Sequence, residues 1–221
     1  MLHVDASQNP RQLDYLPGQY ARIKIPGTEE WRSYSFANLP TAENQLQFLV
    51  RLLPKGVMSD FVRDRCSPGQ ILEFEAPLGS FYLRQVTCPL VLVAGGTGLS
   101  AFLGMLDEMA IAGGCSQPVS LYYGVTQDCD LCELERLERY AQQIEGFKLH
   151  TVVSHPSDNW TGKRGFVPEH FDTPTFTAQP FDLYVCGPPP MVDAIKNWVS
   201  EQGIEDARLY YEKFVDSAAK R

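Results

Sequence analysis

Several short stretches of this 221-residue chain combine residue types and spacing that can do chemistry. In "LYVCGPPPM" an apolar run ends in Cys186, followed at once by Gly187 and Pro188. A thiol at the end of a buried strand is a nucleophile, a small packing residue or a spacer beside a ligand. In "LVLVAGGTGL" the residues Gly95, Gly96, Thr97 and Gly98 separate an apolar run from a helical one. Glycines can take positive φ and have no Cβ, so a diphosphate can approach the backbone and the N-terminus of the following helix, with Thr97 as a hydroxyl donor. The spacing is not G-x-G-x-x-G, and strand-to-helix glycine turns also arise for steric reasons alone.

A second turn, "YYGVTQDCD", leaves room at Gly124 and offers oxygens from Thr126, Asp128 and Asp130 to a ribose. A 2′-phosphate calls for Arg or Lys, and none occurs from Gly124 until Arg136, so a nicotinamide ligand here is expected to be NAD(H) rather than NADP(H). The same acids also suit an ordinary helix N-terminal turn, where the dipole favours them. In "WRSYSF" strand alternation puts Arg32, Tyr34 and Phe36 on one face, with Ser33 and Ser35 on the other. Arg32 can pair with a diphosphate and Tyr34 can stack on a planar ring. "PKGVMSDF" turns at Gly56 and starts a helix near Met58-Ser59, giving amide donors for a second phosphate contact or a plain N-cap.

Other candidates carry less. Cys129-x-x-Cys132 has metal-ligand spacing, but no second pair completes a site, so it is assigned to helix surface and packing. The four histidines are scattered, and there is no G-x-S-x-G nucleophile elbow.

Two different rhythms position these stretches. Up to about Arg84 short strands are expected at 19–25, 32–37, 45–52 and 70–76, separated by Pro and Gly turns, with one helix from Met58 to Pro68; this predicts a small antiparallel barrel. After Pro89 strand and helix alternate: "LVLVA" with "LSAFLGMLDEMAIA", "VSLYYG" with "LCELERLERYAQQI", and "FDLYVC" with "MVDAIKNWVSEQ", then "RLYYEKF" as a last strand. That order predicts a doubly wound α/β domain with a mainly parallel sheet, whose ligands lie at the carboxyl ends of strands. Two domains are expected, at 1–86 and 87–221.

Composition sets the outer limits. A net charge of -8 without a basic run argues against nucleic acid. No stretch reaches the length of a membrane span, and the start "MLHVDASQNP" lacks the pattern of a signal peptide, so a cytoplasmic protein is expected. With 44% hydrophobic residues the chain does not need disulfides, and its six cysteines are expected to be free thiols.

The order of the motifs narrows the expectation further. Arg32-x-Tyr34-Ser35, Gly56-Val57-Met58-Ser59, Gly95-Gly96-Thr97-Gly98, Cys186-Gly187-Pro188-Pro189 and Glu212-Lys213-Phe214 together resemble the ferredoxin-NADP reductase superfamily over nearly the whole chain. Within it, "YLPGQYARIKIPG", "PLGSFYLR", "AGGTGLSAFLGML", "CGPPPMV" and "YYEKF" are most similar to the reductase components of benzoate, toluate and anthranilate dioxygenases.

The resemblance implies a six-stranded flavin barrel, here without its first strand, followed by a nicotinamide domain. It assigns Arg32, Val50, Gly56, Val57, Met58 and Ser59 to FAD, with Tyr34 and Ser35 at the isoalloxazine and Phe214 covering the ring or beside it. It assigns Gly95 to Gly98, Gly124, Thr126, Asp128, Gly187 and Pro188 to NADH. Ser35, Cys186 and Glu212 would surround the point of hydride transfer: Ser35 bonding near the flavin, Cys186 as a spacer, Glu212 balancing charge. Electrons would pass to a [2Fe-2S] centre on a ferredoxin domain or protein, and on to a Rieske-type oxygenase component. The family's N-terminal ferredoxin domain and its cysteine ligands are not in this sequence. A polar tail, "VDSAAKR", is expected after Phe214. The alternatives are a stand-alone NADH:flavin or ferredoxin reductase, and a catalytically silent nucleotide-binding electron-transfer subunit.

Overall fold

The structure, a computed structural model, describes residues 1–171 and 179–215. From residue 216 on, the expected polar tail lies outside the described residues.

The first part contains five strands: β1 (Leu2–Asp5), β2 (Tyr20–Lys24), β3 (Trp31–Ser35), β4 (Gln45–Phe48) and β5 (Phe74–Leu78). Helix α1 (Val57–Asp64) is the one helix among them. The strands are antiparallel, but they form a three-stranded sheet, β3-β2-β5, and a two-stranded sheet, β1-β4, joined by a single bridge from Phe36 to Phe48. The described residues thus show five antiparallel strands in two sheets, where the sequence led to a six-stranded barrel without its first strand. Alternation explains the core: Ala21, Ile23, Phe36, Leu46 and Phe48 point inward, and Tyr15 stacks on Phe36 with ring centroids 3.7 Å apart. Met58 and Phe61 of α1 close that core.

The second part is a six-stranded, all-parallel sheet, β11-β10-β6-β7-β8-β9. Its strands are β6 (Leu90–Gly95), β7 (Val119–Val125), β8 (Phe147–Val153), β9 (Lys163–Arg164), β10 (Phe181–Gly187) and β11 (Ala207–Lys213). Its helices are α2 (Leu99–Ile111), α3 (Leu134–Gln143) and α4 (Pro189–Glu201). β6 and β10 are buried at every position, as strands covered on both faces must be. Successive residues serve opposite layers. Leu92 and Ala94 face the core of α2 and α3, whereas Val91 and Val93 face Val192 and Ile195 of α4. Cys186 and Tyr184 lie on the α2 side.

Neither β1 nor β8 and β9 were expected from the sequence. β8 reads "FKLHTVV": Lys148 and His150 interrupt its apolar run, and only its ends are buried.

Helix α2 is nearly apolar all round because it is buried on two sides. One side packs on the sheet; the other meets the first part, where Ala37, Leu49 and Phe81 join the same core. Gly104 sits so close to this junction that a Cβ would stand 3.2 Å from Asn38 O and 3.4 Å from Pro17 Cβ. Across the junction Arg136 of α3 donates to Ala37 O at 3.0 Å. The same guanidinium contacts Asp107 and donates through Nε to Tyr140 Oη at 2.7 Å.

Candidate functional site

Strand order reverses at β6, which has β7 on one side and β10 on the other. The loops leaving β6 and β10 therefore run to opposite faces and leave a crevice at their carboxyl ends. A cleft of about 800 Å³ opens there, lined from the second part by Gly95, Gly96, Thr97, Gly124 and Thr126 and from the first by Leu49, Val50 and Arg51. Pro188 and Phe214 line it as well. Phe214 is held in place at its backbone, where its N–H donates to Gly187 O at 2.8 Å.

The glycines of this turn have separate tasks. Gly96 has φ +54, and a Cβ there would meet no atom within 4 Å, so it is open to the cleft. Gly95 and Gly98, with φ of -107 and -58, do not use the left-handed region open to glycine. Packing demands them instead: a Cβ on Gly98 would meet Cys186 O at 2.1 Å, and one on Gly187 would meet Gly95 Cα at 2.9 Å. The turn after β6 and the end of β10 thus touch backbone to backbone, which brings Cys186 beside the glycine turn.

Cys186 is fully buried, and burial first, then the charge of Glu212, pushes its thiol well above the ordinary range. Glu212 is its register partner on β11. Burial raises the Glu212 carboxyl to about 7. Gly79 of the first part faces this carboxylate: a Cβ there would stand 2.8 Å from the Tyr20 ring and 3.6 Å from Glu212 Oε1. Tyr20 in turn is the register partner of Ser35. Glu212 thus meets the first part at Gly79 and Tyr20, whose strand partner is Ser35, while Ser35, Cys186 and Glu212 are not among the residues lining the cleft.

Two buried side-chain atoms among the described residues have no hydrogen-bond partner, and they are Ser35 Oγ and Glu212 Oε2. An orphaned buried polar atom is costly. That both lie at this junction fits a polar group, such as a flavin ring edge, completing the site. Ser33, on the same strand face as Ser35, is exposed.

Other expected residues lie apart from the cleft. Arg32 Nη2 bonds Glu30 Oε2 at 2.6 Å, and its Nη1 donates to Trp31 O. Tyr34 is half-buried against the first core, and burial pushes its hydroxyl up to about 12. Gly56 is the N-cap of α1, with φ 170, and no side chain caps that helix. Val57 packs on the first core and Met58 is within it, so Met58 can present only its backbone amide. Ser59 Oγ accepts from Leu53 N at 3.0 Å rather than capping its own helix.

Asp128 does not line the cleft. Its carboxylate accepts from Ser157 N at 2.7 Å and Ser157 Oγ at 3.0 Å, and these bonds, the backbone one foremost, hold it below the usual carboxylate range. The cysteines of Cys129-x-x-Cys132 are not on helix α3, which begins at Leu134. Cys129 lies in the short 3₁₀ turn Asp128–Asp130, and Cys132 Sγ is 3.3 Å from Tyr123 Oη. All six cysteines are free thiols. Among the described residues, no group of three or more His, Cys, Asp and Glu is arranged to hold a metal, and no helix is long and apolar enough to cross a membrane.

Sequence reasoning missed Arg51 and the far wall of the cleft. Arg51 comes from the segment after β4 yet reaches Asp130 beyond β7. Phe166 and Val167 come from the connection after β9, and Met191 from α4. No local pattern marks them, because each enters the cleft from a different connection.

Two family models match the chain: an oxidoreductase FAD-binding domain over residues 1–82 and an oxidoreductase NAD-binding domain over 92–197. The chain is 60% identical over 218 residues to the anthranilate 1,2-dioxygenase electron transfer component of Acinetobacter baylyi, covering 98% of this chain and 63% of that protein. It is 42% identical to the toluate 1,2-dioxygenase electron transfer component of Pseudomonas putida, covering 96% of this chain and 62% of that one. The structure matches the Amycolatopsis cytochrome P450 reductase GcoB with a TM-score of 0.84 and 32% identity, over 94% of this chain and 63% of that one. This chain thus spans somewhat under two thirds of each of these proteins.

Proposed function

The chain belongs to the ferredoxin-NADP reductase superfamily, with an FAD-binding domain before an NAD-binding one, and from that membership we propose that it passes electrons from NADH through FAD to a [2Fe-2S] centre. The acceptor of those electrons, in this reading, is an aromatic-ring-hydroxylating dioxygenase of the anthranilate or benzoate type. The [2Fe-2S] centre belongs to a ferredoxin domain or protein, the oxygenase component is of the Rieske type, and the system works in the cytoplasm. Relatives with 60% and 42% identity that serve as dioxygenase electron transfer components support this assignment.

We take residues 1–86 as the flavin domain, with its two antiparallel sheets as the flavin-binding barrel, and 87–221 as the nicotinamide domain. Flavin supplies conversion between two-electron hydride chemistry and one-electron transfer. This chain's residues bind and orient. Arg32 and the uncapped first turn of α1, from Gly56 to Ser59, hold the FAD diphosphate once Arg32 leaves Glu30. Tyr34 and Val50 pack on the ring system, and Phe214 flanks it. Gly96 and Thr97 receive the NADH diphosphate, with Gly95, Gly98, Gly187 and Pro188 shaping the wall. Gly124 and Thr126 lie at the ribose; Asp128 supports them by fastening the Ser157 segment.

At the reacting edge Ser35 Oγ offers a hydrogen bond to the flavin. Cys186, a neutral buried thiol, spaces the nicotinamide rather than attacking it. Glu212 holds or releases a proton near neutrality. The observation that carries the reading is that Ser35 Oγ and Glu212 Oε2 are both buried and unpartnered, on residues linked through Tyr20 and Gly79.

The test is the visible spectrum of the purified chain with FAD, recorded without oxygen before and after NADH. Bleaching of the flavin bands is expected; bands that persist with excess NADH overturn the proposal.

A further inference from the structure

Arg136 ties together three segments that lead to the reacting groups. It stands on α3, the helix that follows the turn after β7, and it contacts Asp107 of α2, the helix that follows the glycine turn. Its Nη2 also crosses the junction to donate to Ala37 O at 3.0 Å. Ala37 lies just beyond Ser35, the last residue of β3.

The contact is stiff at both ends. In the first part Ala37 N donates to Gln47 O at 2.8 Å and Phe36 N to Gln19 O at 3.0 Å, so the carbonyl belongs to the same bonded framework that pairs Ser35 with Tyr20. In the second part Arg136 Nε donates to Tyr140 Oη at 2.7 Å, Tyr140 Oη donates to Asp107, and Nη1 lies 3.6 Å from Glu133 Oε2. Glu133 takes φ +58 at the N-cap of α3, a strained conformation for a residue with a side chain. The Arg51–Asp130 pair also crosses the junction, but the Arg51 side chain is 53% exposed against 14% for Arg136. The surface pair is weak, which leaves the buried guanidinium to fix the geometry.

Arg136 does not line the cleft, so any effect it has on the reaction comes through placement. Hydride transfer needs donor and acceptor atoms within about 3 to 3.5 Å, and a misplacement of about 1 Å costs about 100-fold. In the NADH-to-FAD reading the second part holds the donor and the first holds the acceptor. Their separation then depends on how the two parts are set against each other. We infer that Arg136 is a positioning residue for hydride transfer, holding the nicotinamide half at the working distance from the flavin half. The inference rests on that NADH-to-FAD reading.

The experiment compares two hydride donors on the FAD-loaded wild type, Arg136→Lys and Arg136→Gln, without oxygen and by stopped flow. One donor is NADH, which the second part must hold. The other is 1-benzyl-1,4-dihydronicotinamide, which has no ribose or diphosphate and reaches the flavin from solution. Flavin absorbance first verifies equal FAD. Lysine keeps the charge beside Asp107 but has no planar fork to reach Tyr140 and Ala37 O together, so Arg136→Lys decides the matter if Arg136→Gln does not fold. The limiting rate of flavin reduction by NADH is expected to fall by about tenfold or more, with NADH affinity and the rate with the small donor unchanged. An unchanged limiting rate, or a loss of NADH affinity alone, overturns the inference and leaves the NADH-to-FAD reading intact. Equal slowing with both donors places the damage in the flavin site and overturns it too. A wild-type flavin that NADH does not reduce overturns the inference together with the reading beneath it.

Discussion

Cys186 and Glu212 are register partners on the adjacent parallel strands β10 and β11, the thiol fully buried and the carboxylate partly so. Each is pushed toward its neutral form: burial raises the carboxyl to about 7, and burial reinforced by that carboxylate raises the thiol. A thiol so placed is a poor nucleophile, and its partner is a proton reservoir near neutrality.

The Glu212 shift carries a definite sign. Its folded value, about 7, lies above the ordinary 4.5. Its contribution to stability is therefore fully present below about pH 4.5 and lost as pH rises through about 7, where the buried group must ionise. The loss is at most about 3 kcal/mol. Urea unfolding at pH 5 and pH 8 should show this loss in wild type and a smaller one in Glu212→Gln; equal losses in both would remove Glu212 as the cause.

Cysteine reactivity should follow exposure. Cys129 is exposed and Cys186 fully buried, so alkylation of the native protein should label Cys129 early and Cys186 only on unfolding. Mass spectrometry of labelled peptides checks the order.

Replacing that thiol should cost geometry. Cys186→Ser is expected to slow flavin reduction by NADH by about tenfold or more while FAD stays bound, because small misplacement of reacting groups is expensive. Stopped-flow traces identical to wild type would end the spacer assignment.

The two kinds of glycine in the β6 turn separate by mutation. Gly98→Ala places a methyl 2.1 Å from Cys186 O, so backbone must shift, and a loss of about 3 kcal/mol or more is expected. Gly96→Ala meets open space at φ +54 and should cost about 1 kcal/mol, through backbone strain alone. Thermal or denaturant unfolding ranks the two; the reverse ranking contradicts the packing role of Gly98.

The Arg136 junction should matter for the joint between the halves. Its side chain is 14% exposed and contacts both Asp107 and Ala37 O. Arg136→Gln leaves Asp107 without its ion pair, and a destabilisation of about 3 kcal/mol is expected. Faster proteolysis within residues 84–89 would accompany it; an unchanged cleavage rate would show that the junction holds without this arginine.

Much of the architecture was legible in neighbouring residues. Strand and helix alternate after Pro89 because doubly covered strands such as β6 and β10 must be uniformly apolar, and glycine or proline marks where each ends. The half-exposed β8 escaped because Lys148 and His150 break that signal. The motif order from Arg32 to Phe214 was enough to point to the superfamily, and the matches to FAD-binding and NAD-binding domains agree with it. In the first part the turns were visible, but the split into two sheets joined at Phe36 and Phe48 was not.

What the chain's order of residues leaves open is which distant side chains meet. Nothing local says that Gly98 is required by Cys186 O, or that Arg51 reaches Asp130 from the other half. The thiol of "LYVCGPPPM" is visible as a strand end, but its face, its partner Glu212 and the opposing Ser35 and Gly79 come from packing α2 between the sheet and the first part. Periodicity records how each segment meets its own layer; contacts between layers depend on how whole segments dock, and no single segment carries that information.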